Sequence, residues 1–314
     1  MRYGWILVIL FGQLGSAQQR AAEVGMITDN DLYTSIKYDR YYTSGLEFYY
    51  RYLNKPGRAS VKKKITEFRV GQYIYNPSTR NADNPVDNDR PFAGYLFGEA
   101  GINRFFENES VLKTALQVGY IGPNSFAEET QRLIHKVFGY KTVFGWQHQI
   151  RNTVALQAGF LYSLKLAPKQ QLSKTDFHLQ ADVNVGTVST GATVGLMGRI
   201  AIKPLLPVYE SNLHGASLDT DKSSYNDKSE LFVYILPALN YQAYDATIQG
   251  SMFDDRSPVT YDLIPFRFHG ETGVKYRHGS WNLSYAVIYR GKEARNNSIS
   301  GYYYGSINIG YLLK

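Results

Sequence analysis

The chain has 314 residues, enough for one large β-domain or two small domains. It contains no cysteine, which excludes disulfides, thiolate metal sites and a lipoprotein anchor. Its net charge of +7 suits anionic lipid head groups better than nucleic acid, which an exported chain rarely meets, and its mean hydropathy of −0.33 does not exclude a membrane barrel, whose alternating strands cancel in the average.

Export is read from the first residues, MRYGWILVILFGQLGSAQQ. Arg2 supplies a positive start, Trp5 to Phe11 an apolar run, and Gly15, Ser16 and Ala17 a small-residue cleavage zone. A signal peptide over residues 1–17 is expected, followed by a single domain over 18–314. No later run reaches the roughly 18 apolar residues that a membrane-spanning helix needs.

Twelve segments then alternate apolar and polar residues. They begin near Val24, Ser44, Lys63, Ala93, Ser110, Thr153, Lys174, Gly191, Glu230, Leu263, Ser280 and Tyr302. In DFHLQADVNV (176–185), Phe177, Leu179, Ala181, Val183 and Val185 face one way, and His178, Gln180, Asp182 and Asn184 the other. In SGLEFYYRYL (44–53), Leu46, Phe48, Tyr50 and Tyr52 oppose Glu47, Tyr49 and Arg51. The even strand count and segments of about ten residues predict an all-β fold, a twelve-stranded antiparallel transmembrane β-barrel. Tyr49, Tyr50, Trp281, Tyr302, Tyr303 and Tyr304 are expected to form interface girdles. A soluble sandwich also alternates, but its inner face is the apolar one.

With both ends on the periplasmic side, the outer loops are 34–42, 76–92, 122–152, 189–190, 245–262 and 291–301. The inner turns are short except for 204–227. That long polar segment reads either as a slip in the strand count or as a periplasmic excursion.

One outer loop carries a helix, GPNSFAEETQRLIHKVFGY (122–140). Ser125 and Glu128 fit a capping box and Gly139 a stop. Phe126, Thr130, Leu133, Ile134, Val137 and Phe138 cover one side, which should pack on the barrel rim or on lipid. Glu128, Gln131 and His135 gather on the other. Two polar stretches stand out besides. Asp29, Asn30 and Asp31 end the first strand and offer oxygen ligands to a hard cation such as Ca²⁺. The loop between the third and fourth strands is rich in Asp, Asn and Arg.

Taken together, NDLY, DRYYTSGL, GQYIYNPS, DRPFAGYLFGEAG, GYIGPNSFAEETQRLIHKVFG and GWQHQI resemble the outer-membrane lipid A 3′-O-deacylases, the LpxR-like enzymes. The motifs cover roughly residues 30–150, and the remainder matches as a strand pattern. The resemblance implies a twelve-stranded barrel in the outer membrane of a Gram-negative cell. It implies Ca²⁺-dependent hydrolysis of the 3′-linked acyl esters of lipid A in lipopolysaccharide, at a site between the barrel wall and a helix in an outer loop. Carried over, His135 is the general base that activates water, Asp31 the metal ligand with Asn30 as its support, and Thr43 and Gln131 complete the site. The family's Lys-Arg pair in the second outer loop is absent. Arg80 and Arg90 stand in that region, and with Arg132 and Lys136 they are the candidates for lipid A phosphates. Lys141 stands where some members have an acid after the helix histidine. A monomer is expected. The rival readings are an outer-membrane phospholipase, which needs a serine paired with histidine and would lack a Gly-x-Ser-x-Gly motif here, and a non-enzymatic barrel such as a porin or adhesin.

Overall fold

The computed structural model describes residues 20–34, 41–55, 57, 60–78, 82–140, 143–168, 173–296 and 300–313. The expected signal peptide lies outside the described residues. The strands are β1 (Ala22–Asn30), β2 (Tyr41–Asn54), β3 (Val61–Asn76), β4 (Ala93–Phe106), β5 (Val111–Ile121), β6 (Thr153–Ala167), β7 (Thr175–Gly186), β8 (Ser189–Ala201), β9 (Ser229–Asp245), β10 (Phe266–His278), β11 (Trp281–Gly291) and β12 (Gly301–Leu313). Each pairs antiparallel with its chain neighbours, and β1 closes on β12, from Ala22 opposite Leu313 to Asn30 opposite Gly305. The expected strands are all present, each starting within about three residues of its expected position, inside the usual uncertainty of a strand boundary.

Alternation decides which way each side chain points, because successive strand residues face opposite sides of the sheet. In β2, Leu46, Phe48 and Tyr50 are exposed on the outer wall, while Glu47, Tyr49 and Arg51 are buried in the lumen. In β7, Phe177, Leu179, Val183 and Val185 point outward, and Asp176, His178 and Gln180 inward. Polar residues inside and apolar residues outside invert a soluble sandwich and suit hydrocarbon around the wall. The girdle expectation needs correcting. Tyr50, Trp281 and Tyr303 are exposed, but Tyr49, Tyr302 and Tyr304 are buried, since alternation sends every second tyrosine inward.

Charges enclosed in the lumen must be paired. Arg51 grips Glu23 through two bonds of 2.7 and 2.8 Å. Arg69 bonds Glu47 at 2.6 Å and also pairs with Glu67. Arg199, itself fully buried, bonds both oxygens of Asp176 at 2.9 and 2.6 Å and lies 3.5 Å from Glu230.

Residues 202–228, between β8 and β9, are not a periplasmic excursion. They fold back into the lumen as a stopper at the end of the barrel where β1 starts and β12 ends. Val208, Ala216, Leu218 and Tyr225 are buried there against Ile65, Phe105, Val111 and Leu312 of the wall. The stopper's carbonyls are met by wall cations. Lys63 bonds the Ala216 carbonyl at 2.7 Å, Lys275 that of Leu213 at 3.0 Å, and Arg277 those of Glu210 and Ser217 at 2.6 and 3.0 Å. Glu230 accepts from the Leu206 and Asn212 amides and the Ser211 hydroxyl. Gly215 passes so close to Arg51 that a Cβ there would lie 2.0 Å from the guanidinium. Burial, followed by the charge of Lys113, holds the stopper's His214 imidazole well below its usual range, so it sits neutral.

At the other end the outer loops tie to one another. Arg90 donates to the Thr247 hydroxyl at 2.9 Å, Tyr261 donates to the Asn88 carbonyl, and Asn296 to the Asp89 carbonyl at 2.5 Å. Between the stopper and these loops remains a polar cavity of about 500 Å³. A lumen stoppered in this way is expected to pass no stable current in a planar bilayer. Replacing residues 205–227 by a short Gly-Ser linker, in protein shown to be folded by its heat-modifiable mobility, is expected to create a conducting pore. Replacing Arg199 by Met leaves two buried carboxylates without their shared cation. It should cost about 3–5 kcal/mol in urea unfolding of the detergent-folded barrel.

Candidate functional site

The third outer loop builds the site. Gly122 turns the chain at φ 92°, a conformation that favours glycine, and Pro123–Ser125 form a 3-10 turn. Helix α1 follows, Ala127–Phe138, and Gly139 ends it in the left-handed conformation at φ 72°. The expected capping box does not form. Phe126 occupies the N-cap position without a side-chain bond, and the Ser125 hydroxyl donates instead to the Gly122 carbonyl at 2.6 Å. Pro123 starts the 3-10 turn early, so Ser125 falls inside that turn and not at the helix boundary. Along the exposed edge, Arg132 and Glu128 pair at 2.6 Å across one helical turn.

Close approach of α1 to the wall depends on Gly94 in β4. A Cβ on Gly94 would lie 2.0 Å from the Ser125 hydroxyl and 2.3 Å from the Ala127 Cβ. Gln72 of β3 donates to the Ser125 carbonyl at 2.6 Å. Ala127 packs in a small cluster with Ile74, Phe92 and Trp146. The lock is one turn further on. Gln131, 6% exposed, accepts the Trp146 indole N–H at 2.7 Å, and Trp146 packs on Phe92 with ring centroids 5.0 Å apart. His135 follows Gln131 by four residues on the same face. It is half-buried, with the Tyr140 ring edge-to-face at 5.6 Å.

Of the two expected partners, rim or lipid, the apolar side of α1 turns away from the rim. Leu133, Val137 and Phe138 are 62 to 69% exposed, and the face turned to the protein carries Ala127, Gln131, Ile134 and His135. The physical reason is the surroundings. Beside an apolar barrel wall the outward medium is hydrocarbon, so the apolar face of the helix turns out and the polar face in.

The other candidates lie along the same rim. Asn30 ends β1 and its side chain accepts the Leu32 N–H at 2.8 Å, capping a 3-10 turn of Asp31–Tyr33. Asp31 is buried at 4% exposure. Tyr285 of β11 holds this turn by donating to the Tyr33 carbonyl at 3.0 Å. The pairing register sets Asn30 opposite Ser44, Ser44 opposite Ile74, and Ile74 opposite Gly94. The Asp31 turn and the start of α1 therefore adjoin one run of paired strand residues, which is inclined to the barrel axis because the strands tilt. Three strand spacings separate them, about 14 Å at roughly 4.8 Å each. Thr43 is the extra residue of a bulge in β2, between Tyr42 and Ser44, and its side chain lies outside the described residues. Bulges recur where a strand must be re-aimed at a site.

Of the candidate phosphate ligands, Arg132 and Lys136 are exposed on α1. Arg80 lies outside the described residues. Arg90 is buried at 1% exposure against Thr247, Tyr75 and Glu293, and has no surface to offer a lipid head group. Trp146, Phe92 and Gly94 hold α1 and were not singled out by sequence reasoning, although GWQHQI and DRPFAGYLFGEAG contain them. The rim residues also fit a hard cation in donor type, since the Asp31 turn offers a carboxylate and backbone carbonyl oxygens. Among the described residues no group of three or more His, Asp or Glu side chains is placed to hold a metal ion, so carbonyls and water would have to supply most ligands.

A family model described as outer membrane protein LpxR matches residues 5–313. Among solved structures, the chain is similar to LpxR from Salmonella typhimurium, at 18% identity and a TM-score of 0.75, covering 93% of this chain and all of that one. It is also similar to the β domain of the Bordetella autotransporter BrkA, at 11% identity and a TM-score of 0.50, covering 94% of this chain and all of that one. At these identities the likeness is one of fold. Comparison with curated proteins gives no match. The packing around Gly94 carries a direct test. Gly94→Val is expected to leave a folded, heat-modifiable barrel but to lift α1 off the wall, read as faster amide exchange across 127–138.

Proposed function

The chain belongs to the LpxR family of outer-membrane proteins, and from that premise we propose that it is a lipid A 3′-O-deacylase, working as a monomer in the outer leaflet. The observation that supports this reading is the way α1 is held. Its apolar face is exposed to the medium where acyl chains run, and its other face carries buried Gln131 and half-buried His135. A lipid ester lying in the leaflet would reach α1 from the side, without entering the lumen.

Histidine is the side chain whose ordinary pKa suits proton transfer near neutrality. His135 would take a proton from a water molecule as the water oxygen attacks the ester carbonyl carbon. The tetrahedral oxyanion would then collapse. The bond from the acyl carbon to the 3′ oxygen breaks, and His135 returns its proton to that oxygen. The products are a fatty acid and a free 3′ hydroxyl. Gln131 would fix the helix turn beneath His135 through Trp146, and Asn30 would brace the Asp31 turn. Thr43 would lie at the bulge facing this region of the rim. Arg132 and Lys136 would bind lipid A phosphates. Ca²⁺ held by Asp31 would act as a Lewis acid toward the developing oxyanion.

Mass spectrometry of lipid A from Gram-negative cells expressing the chain tests the reading. The wild type is expected to remove mass equal to a 3′-acyl or acyl-oxyacyl group. His135→Ala and Asp31→Ala, at matched levels of folded barrel, are expected to lose about a hundredfold or more of that activity. Chelation of divalent ions should abolish it. Unchanged lipid A with folded, Ca²⁺-supplied wild type would sink the proposal.

A further inference from the structure

We propose that Asp29, Tyr42 and Gly45 form a positioning device on the luminal side of the wall, which pins the β2 bulge and sets the outer ends of β1 and β2 in working register. The inference rests on the functional reading above, for it concerns how Asn30, Asp31 and Thr43 are held.

Asp29 and Gly45 stand directly opposite each other in the β1–β2 ladder. The Tyr42 ring folds back across Gly45 to reach the other strand, and its hydroxyl donates to the Asp29 carboxylate at 2.9 Å. Only glycine permits this path. A Cβ at position 45 would lie 2.1 Å from the Tyr42 hydroxyl oxygen and 3.0 Å from its Cζ. The ring has no room to move elsewhere. Its centroid is 5.5 Å from that of Tyr73, 5.3 Å from Tyr75 and 4.7 Å from Tyr304.

The bulge lies inside this loop of contacts. Tyr42 precedes the extra residue and Gly45 follows it. A bulge sets two residues against one, and in an otherwise regular ladder nothing local fixes where the extra residue falls. The bond from Tyr42 across Gly45 to Asp29 does fix it. A shift of one position would carry Tyr42 to the outer face and break the bond. Asp29 is the residue before Asn30, and Tyr42 the residue before Thr43, so the same bond sets both candidate segments relative to each other. Asp29 and Tyr42 line the luminal cavity, on the opposite side of the wall from α1. They are therefore positioning residues and do not touch the reacting atoms.

The test uses full-length barrel, folded in detergent micelles with lipid A, with folding checked by heat-modifiable mobility. Tyr42→Phe keeps the ring and loses the bond. Asp29→Ala removes the acceptor, and Asp29→Asn restores one without charge. Tyr42→Phe and Asp29→Ala are each expected to lower kcat about tenfold or more, with KM changed by less than about twofold. The double variant should be no worse than the weaker single one, because both remove one interaction. Asp29→Asn is expected to retain most of the wild-type kcat. Gly45→Ala should lose more, and Tyr42→Phe in the same chain should recover part of that loss. A wild-type kcat for Tyr42→Phe would overturn the device. So would Asp29→Asn as inactive as Asp29→Ala, which would make the charge itself the requirement. If the wild type leaves lipid A unchanged, the functional reading fails, and amide exchange over 41–46 still decides the device. Protection lost in Tyr42→Phe supports it, and protection unchanged overturns it.

Discussion

A closed sheet gives each strand residue two destinations, the lumen or the lipid, and this constraint governs the rest of the molecule. Once the apolar set is assigned to lipid, every charged residue that the strands turn inward has to be satisfied inside. The wall answers with guanidinium–carboxylate pairs such as Arg51 with Glu23 and Arg199 with Asp176. Such pairs contribute little net stability, since desolvation offsets most of their attraction, but each is costly to break on one side only. Where a wall cation has no carboxylate at hand, the stopper brings carbonyl oxygens to it, as at Lys275 and Arg277.

The same constraint favours the rim for the proposed chemistry. The inner end is filled and the outer loops are tied to one another, so the lumen offers no route for a long acyl chain. The outer edge of β1–β4 is different. There strand ends, a bulge and a glycine let irregular backbone and a helix come against the wall. The helix is oriented by its surroundings, apolar side to hydrocarbon, and the polar side that remains carries Gln131 and His135.

Much of this was legible in the sequence for one physical reason. A strand between lipid and a polar lumen must alternate, so the DFHLQADVNV pattern reads directly as β7. The helix was legible from its 3.6-residue period and Gly139. Its orientation was not, because the sequence leaves both rim and lipid open to the apolar side. The capping box was misread because Pro123 imposes a 3-10 turn that absorbs Ser125. The stopper was illegible for another reason. Leu205, Val208, Leu213 and Leu218 follow no period, and the polar residues between them, which look like a solvated loop, are bonded to wall charges far away in sequence. Arg90 misleads in the same manner, a loop arginine by sequence and a buried one by contact. The candidate site residues came from motif resemblance. That Asn30, the bulge at Thr43 and the wall beneath α1 lie along one run of paired strands needed the strand register, which single motifs do not carry.

The stopper has a consequence for how the molecule is made. Asn282 of β11 accepts the Ser217 hydroxyl from the stopper at 2.9 Å and donates to Glu23 of β1 at 3.1 Å. Glu23 also receives Arg51 of β2, so the seam that joins the first and last strands shares its bonds with the filling of the lumen. The stopper leaves the wall between β8 and β9, yet it touches residues on both sides of that seam. A barrel that closed first would have to admit a chain segment through an end already crowded with charge. One that fills first presents Asn282 ready for Glu23. Closing the seam and filling the lumen therefore draw on one shared set of contacts, and forming that set is a long-range folding event. The barrier to that event includes the entropy of joining contacts more than 250 residues apart.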